Sequence, residues 1–213
     1  MGLATRLALS FMAQSYKDEK LSCAPEEKAD LEIANQRLVV EYLADFVQKG
    51  RTRITEADVL EIHDLTIRGI YPCAGKFRDA TTEVTITGTN HKPAHPSQVK
   101  IEIRDMLEWH YGEGQRYSPV CRATRMMWKV NAVHPFNGGN GRVARSLAYL
   151  VIVSEVAPIF AGEPLPTKLK ARKDEYVNGL QSADKGDLGP LERLVLDCFE
   201  EQLKDIYAQA AGT

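Results

Sequence analysis

The chain has 213 residues, 44% of them apolar and 26% charged, which suits one domain with a sizeable core and excludes a disordered or fibrous chain. Its 27 Lys and Arg against 29 Asp and Glu leave a formal net charge of −2, so there is no overall positive field to hold nucleic acid through its phosphates, and no nucleic-acid partner is expected. Cys23, Cys73, Cys121 and Cys198 lie far apart and form no C-x-x-C pair, which predicts reduced thiols in a cytoplasm and neither a zinc ribbon nor a disulfide framework. No apolar run approaches the roughly 18–20 residues of a membrane span. Residues 1–12 lack the continuous apolar stretch and cleavage site of a leader, so the chain reads as unanchored, with no membrane partner.

In chain order, Leu3, Leu7 and Phe11 recur every four residues, a spacing that a short packed helix would use. Leu31, Ala34, Leu38 and Tyr42, with Val39, Leu43 and Phe46 beside them, predict a long amphipathic helix over 27–49 that Gly50 stops. Thr55 is the expected N-cap of the next helix, which carries Leu60, His63 and Ile67 on one stripe and ends at Gly69; on that stripe His63 reads as a core or boundary residue. Residues 70–78 are loop-like. Thr82, Val84 and Ile86 then alternate with Glu83, Thr85 and Thr87 ahead of Gly88 and Asn90, which is strand spacing and predicts a short β-hairpin projecting from a helical body. His91 and His95 are four apart, but Pro93 and Pro96 break the helix that would align them on a metal.

Further helices are predicted over 97–109, 119–133, 142–156, 168–181 and 190–208, with turn residues at 184–189. The third of these is largely apolar and belongs at the centre. Without internal repeats or linkers, the expectation is a mainly α single domain over 1–213.

Between two of these helices stands the run His134-Pro135-Phe136-Asn137-Gly138-Gly139-Asn140-Gly141-Arg142-Val143-Ala144-Arg145. Three glycines within four residues are expected where the chain turns tightly or brings its amides close to something. When such a loop opens a helix, unpaired N–H groups and the positive end of the dipole favour an anion at one spot. Arg142 and Arg145 sit three apart in the first turn, where two cations are unfavourable unless an anion offsets them, and guanidinium forks match phosphate oxygens. His134 adds a group that can take a proton from a hydroxyl at neutral pH. Together these suggest phosphoryl or nucleotidyl transfer. The plainer alternative is a helix-to-helix turn, with the arginines in solvent and His134 capping the preceding helix.

The run resembles the Fic signature H-P-F-x-(D/E)-G-N-G-R-x-x-R at every fixed position except the acidic one, where Gly138 stands. Gly75-Lys76-Phe77-Arg78 and the hairpin after it resemble the family's target-docking flap, here Thr82, Glu83, Val84, Thr85, Ile86 and Thr87, and Tyr176 to Leu191 is similar to its C-terminal helices. The resemblance spans residues 15–203 and implies a mainly α Fic-fold helical bundle with a short β-hairpin flap.

The activity it implies is transfer of AMP from ATP to a Ser, Thr or Tyr hydroxyl of a target protein. His134 is then the general base, and Gly139, Asn140 and Gly141 form an anion hole for the α and β phosphates. Arg142 holds the β phosphate, Arg145 the γ phosphate, and Phe136 anchors the loop. The family's acidic residue binds Mg²⁺, which glycine cannot do. Gly138 therefore leaves metal use open, with Asn137 and water offering a weaker shell. It also keeps in view a catalytically silent Fic-like domain, or transfer or removal of another phosphate-containing moiety. Ser15-Tyr16-Lys17-Asp18-Glu19-Lys20 is similar to the family's inhibitory pattern (S/T)-x-x-x-E-(G/N) at Ser15 and Glu19 and departs from it at Lys20. This implies an inhibitory segment over 1–25 ahead of a catalytic core over 26–213. The target protein and homo-oligomerisation are left open.

Overall fold

In the computed structural model, which describes residues 20–79, 84 and 91–211, the helical periodicity is realised as eight α-helices. They are α1 (Lys28–Gln48), α2 (Glu56–Ile67), α3 (Pro96–Tyr111), α4 (Pro119–Val133), α5 (Asn140–Glu155), α6 (Leu165–Ala171), α7 (Lys173–Ala183) and α8 (Gly189–Ala211). A 3₁₀ turn at Glu113–Arg116 joins α3 to α4. Caps set several boundaries. Thr55 accepts from the Asp58 amide while the Asp58 carboxylate accepts from the Thr55 amide at 2.7 Å, a reciprocal capping box. His95 caps α3 through Nδ1, which accepts from the Ser97 amide, and Pro96 occupies the first helical position. The histidine that its prolines keep out of a helix thus starts one.

The apolar reading of α5 holds: every residue from Val143 to Val153 is buried. Around it pack α1, α2, α4 and α6, with α4 making the most extensive contact. Each fully buried Leu, Ile or Val contributes about 1.5–3 kcal/mol relative to exposure, so α5 is the main apolar contribution to the fold. Arg122 near the start of α4 pairs with Glu155 at the end of α5, so the two helices run antiparallel and the glycine-rich loop joins their near ends. Glu155 also accepts from Nε2–H of buried His110 at 3.0 Å. Burial alone would raise the Glu155 carboxyl; the His110 hydrogen bond and the Arg122 charge outweigh it and hold the group below its ordinary value.

One expectation changes. The helix expected over 168–181 is two helices, α6 and α7, broken at Arg172 (φ −92°, ψ 48°). Arg172 leaves helical geometry while its guanidinium reaches Glu175 on α7, an i,i+3 partner, and Asp197 and Glu201 on α8, which no local signal reveals. The hairpin over 82–87 lies outside the described residues apart from Val84, and no strand occurs among the described residues. Ser15 and Glu19 lie outside them as well.

Candidate active site

α4 ends on His134, which adopts a left-handed backbone (φ 51°, ψ 60°), the one non-glycine positive φ among the described residues. Its amide still donates to Val130, so His134 caps α4 as the plainer reading has it, but the cap also aims the ring. Nδ1–H donates to the Asn131 carbonyl at 3.3 Å, which puts the lone pair on Nε2, and that atom is buried without a partner among the described residues. Burial first, then the nearby Arg78 and His91, lower the His134 pKa to about 4. At neutral pH the site therefore holds a neutral imidazole with its basic nitrogen vacant, in a backbone strained enough to suggest a functional role.

Arg78 fixes this geometry. Its Nε donates to the His134 carbonyl at 2.7 Å, and Nη2 donates to the carbonyls of Val133, at 3.3 Å, and of Ala94. Its own amide donates to the Pro135 carbonyl. A buried guanidinium thus satisfies the last carbonyls of α4 and meets the negative end of its dipole.

The loop then turns over Phe136, fully buried and stacked on His63 (centroids 3.7 Å apart) and Phe77 (5.4 Å). The Asn140 side chain closes the loop: Oδ1 accepts from the Phe136 amide at 2.9 Å and Nδ2 donates to the Phe136 carbonyl at 2.8 Å. Its side chain is therefore used inside the loop, and what Asn140 can offer an anion is its backbone N–H. Gly139 takes φ +75° as the N-cap of α5, a conformation L side chains rarely adopt. None of the N–H groups of Gly139, Asn140 and Gly141 meets an acceptor among the described residues, and together they form the open start of α5. Gly141 lets Arg145 approach, since a Cβ there would stand 3.3 Å from Arg145 Nη1.

The two arginines differ. Arg145 is buried, with its guanidinium 5.6 Å from the Tyr176 ring centre, and among the described residues no carboxylate pairs with it. Burial lowers its pKa, which makes an anion beside it strongly favourable. Arg142 is half-buried and faces Glu32 of α1 at 3.5 Å. Both line a cavity of about 260 Å³ between α1, α5 and α6, whose walls include Ile33, Val40, Tyr149 and Pro166. The structure thus brings His134, Gly139, Asn140, Gly141, Arg142 and Arg145 to one loop and the first two turns of α5, with half-buried Asn137 between. Gly138 presents no side-chain oxygen, its carbonyl accepts from His63, and among the described residues no three His, Cys, Asp or Glu side chains gather to hold a metal. This donor set does not fit a protein-held Mg²⁺. The residues missing from the sequence reading of the site are His63, Phe77 and Arg78. The last two were visible only as part of Gly75-Lys76-Phe77-Arg78.

Residues 53–152 match the family model described as Fic/DOC family. Protein adenylyltransferase Fic of Drosophila grimshawi is 31% identical over 184 residues, 85% of this chain and 35% of that protein. The Aedes aegypti protein of the same name is 31% identical over 161 residues, 75% of this chain and 30% of its own length. The chain thus spans about a third of the curated relatives it matches. Fic-1 from C. elegans superposes with a TM-score of 0.69 at 26% identity, covering 100% of this chain and 60% of that one. BepC from Bartonella tribocorum, solved with bound AMPPNP, shares the fold at a TM-score of 0.56 and 18% identity over 88% of this chain and 97% of its own. Among the described residues, no helix is long and apolar enough to cross a membrane.

Proposed function

Because the chain belongs to the Fic/DOC family, we propose that it moves AMP from ATP onto a Ser, Thr or Tyr hydroxyl of a target protein. His134 Nε2 takes the hydroxyl proton as the oxygen attacks the α phosphorus. The bond from that phosphorus to the oxygen bridging to the β phosphorus breaks, pyrophosphate leaves with the electron pair, and AMP remains as an ester on the target. The N–H groups of Gly139, Asn140 and Gly141 face the α and β phosphates, Arg142 the β phosphate and Arg145 the γ phosphate. Catalysis is then mostly positioning and charge stabilisation. Charge supports the arrangement: Arg142 leaves Glu32 for a phosphate, and Arg145 gains the anionic partner that the described residues withhold. The docking flap at Thr82–Thr87 would present the target hydroxyl, and the cysteine spacing suits a cytoplasmic setting.

The observation that carries this reading is a buried imidazole whose Nε2 meets no partner among the described residues, on the loop that runs directly into the start of α5, where the first N–H groups meet no acceptor among the described residues. Incubation with α-labelled and γ-labelled ATP, with and without Mg²⁺, tests it: only the α label should stay on protein, and His134→Ala should abolish labelling. Persistent labelling of His134→Ala would remove His134 as the base. Residues 1–25, with Ser15 and Glu19, act in this reading as a brake. Glu19 would fill the anionic place beside Arg145, and Glu19→Gly raises transfer or auto-modification; unchanged activity in the folded variant removes the brake.

A further inference from the structure

His63 stands 75 positions from the loop in sequence, yet its ring is spent entirely on the site. The ring is fully buried, lies nearly parallel to Phe136 (11°), and uses both nitrogens. The Gly75 amide donates to Nδ1 at 3.2 Å, so Nδ1 carries no hydrogen and the proton is on Nε2, which donates to the Gly138 carbonyl at 3.2 Å. One neutral imidazole therefore ties the segment leading to the flap to the peptide joining Gly138 and Gly139. In a trans peptide the carbonyl and the following N–H point in opposite directions, and the described chain has no cis bond. With the Gly138 carbonyl drawn to His63, the Gly139 N–H faces away from the ring, and Gly139 takes its +75° turn into α5.

We propose that His63 is a positioning residue for nucleotide binding: its Nε2–H orients the Gly138–Gly139 peptide so that the Gly139 N–H joins those of Asn140 and Gly141 facing the phosphates. The role rests on the nucleotide-transfer reading, and it also couples the flap root at Gly75 to the phosphate loop through a single ring. Imidazole suits it because a side chain must accept on one edge and donate on the other while filling a flat slot against Phe136. Phenylalanine fills the slot and does neither. Glutamine supplies a donor near the Nε2 position, and asparagine an acceptor near Nδ1 only.

The test compares wild type with His63→Phe and His63→Gln by ¹⁵N–¹H NMR of the Gly139, Asn140 and Gly141 amides and by calorimetric titration with pyrophosphate. His63→Phe should move all three amide signals and weaken pyrophosphate binding at least tenfold, while His63→Gln recovers most of both. Unmoved amides in folded His63→Phe overturn the proposal, as does a His63→Gln variant no closer to wild type than His63→Phe. If His63→Phe does not fold, His63→Asn takes its place, keeping an acceptor for Gly75 without a donor for Gly138; wild-type amide positions in that variant overturn the proposal equally. Failure of wild type to retain the α label sinks the transfer reading alone, because the amide shifts judge His63 whatever reaction the loop serves.

Discussion

In the AMP-transfer reading His134 is a base held ready with no carboxylate among the described residues to orient its ring. A backbone carbonyl, that of Asn131, fixes the tautomer, while burial and the positive charge of Arg78 keep the ring neutral. A base with a folded pKa of about 4 stays deprotonated throughout the neutral range. The AMP-transfer rate should therefore be independent of His134 titration above about pH 5 and fall as pH drops through 4, as single-turnover rates across pH will show. Replacing His134 by Ala should lower transfer by about 10²–10⁴-fold. At Arg142 the contact with Glu32 competes with any phosphate. Glu32→Gln removes that competitor, so ATP should bind several-fold more tightly; an unchanged affinity would show that the 3.5 Å pair carries no weight.

At the scale of elements, the hairpin of α4 and α5 is held at one end by Arg122, His110 and Glu155 and at the other by Arg78 and Asn140. Asn140 is the narrower point. Asn140→Ala strips two hydrogen bonds and leaves the main-chain polar groups of buried Phe136 unpaired, at a cost of about 2–4 kcal/mol. Urea unfolding measures that loss directly. The α7–α8 crossing depends on a missing side chain: a Cβ at Gly179 would stand 3.1 Å from the Leu191 Cα and 3.0 Å from its Cδ1. Gly179→Ala should destabilise by about 1–3 kcal/mol through overpacking, with the midpoint shifted and the slope unchanged. The split of the expected 168–181 helix belongs to this scale too. Residues 168–181 keep helical spacing throughout, and the break falls at Arg172, whose guanidinium pairs with acidic residues on both α7 and α8.

For the whole molecule, two buried histidines tie stability to pH. His63 and His134 are lowered from 6.5 to about 3 and about 4, both chiefly by burial. Between pH 6.5 and 4 the unfolded chain binds protons at these positions that the folded chain does not, so stability falls as pH falls through that window. The expected slope is about 1.4 kcal/mol per pH unit for each histidine. Thermal unfolding from pH 7 to 4.5 should show the decline, and His134→Ala should reduce its slope by about half, because only one of the two lowered histidines then remains. A slope unchanged by that substitution would show that His134 titrates normally in the fold.

What the sequence by itself determined was the helical body and the composition of one loop. The 3.6-residue apolar period marks which face of α1 and α2 is buried, the near-continuous apolar run marks α5 as central, and the glycines, the imidazole and the two guanidiniums stand together in the chain, so both were readable from neighbours. Only the tertiary structure decided which side chains serve that loop from elsewhere. His63 reads as core because its apolar stripe is genuine, and nothing within four residues of it announces Gly138 across the fold. Arg78 reads as part of a flap-like segment until α4 ends against it, and Arg145 as a cation near a helix start whose burial beside Tyr176 the spacing does not announce. Local spacing determines which face of an element is buried; what that face meets is set by packing between segments far apart in the chain, and that packing also sets the desolvation that lowers the pKa of His63, His134 and Arg145.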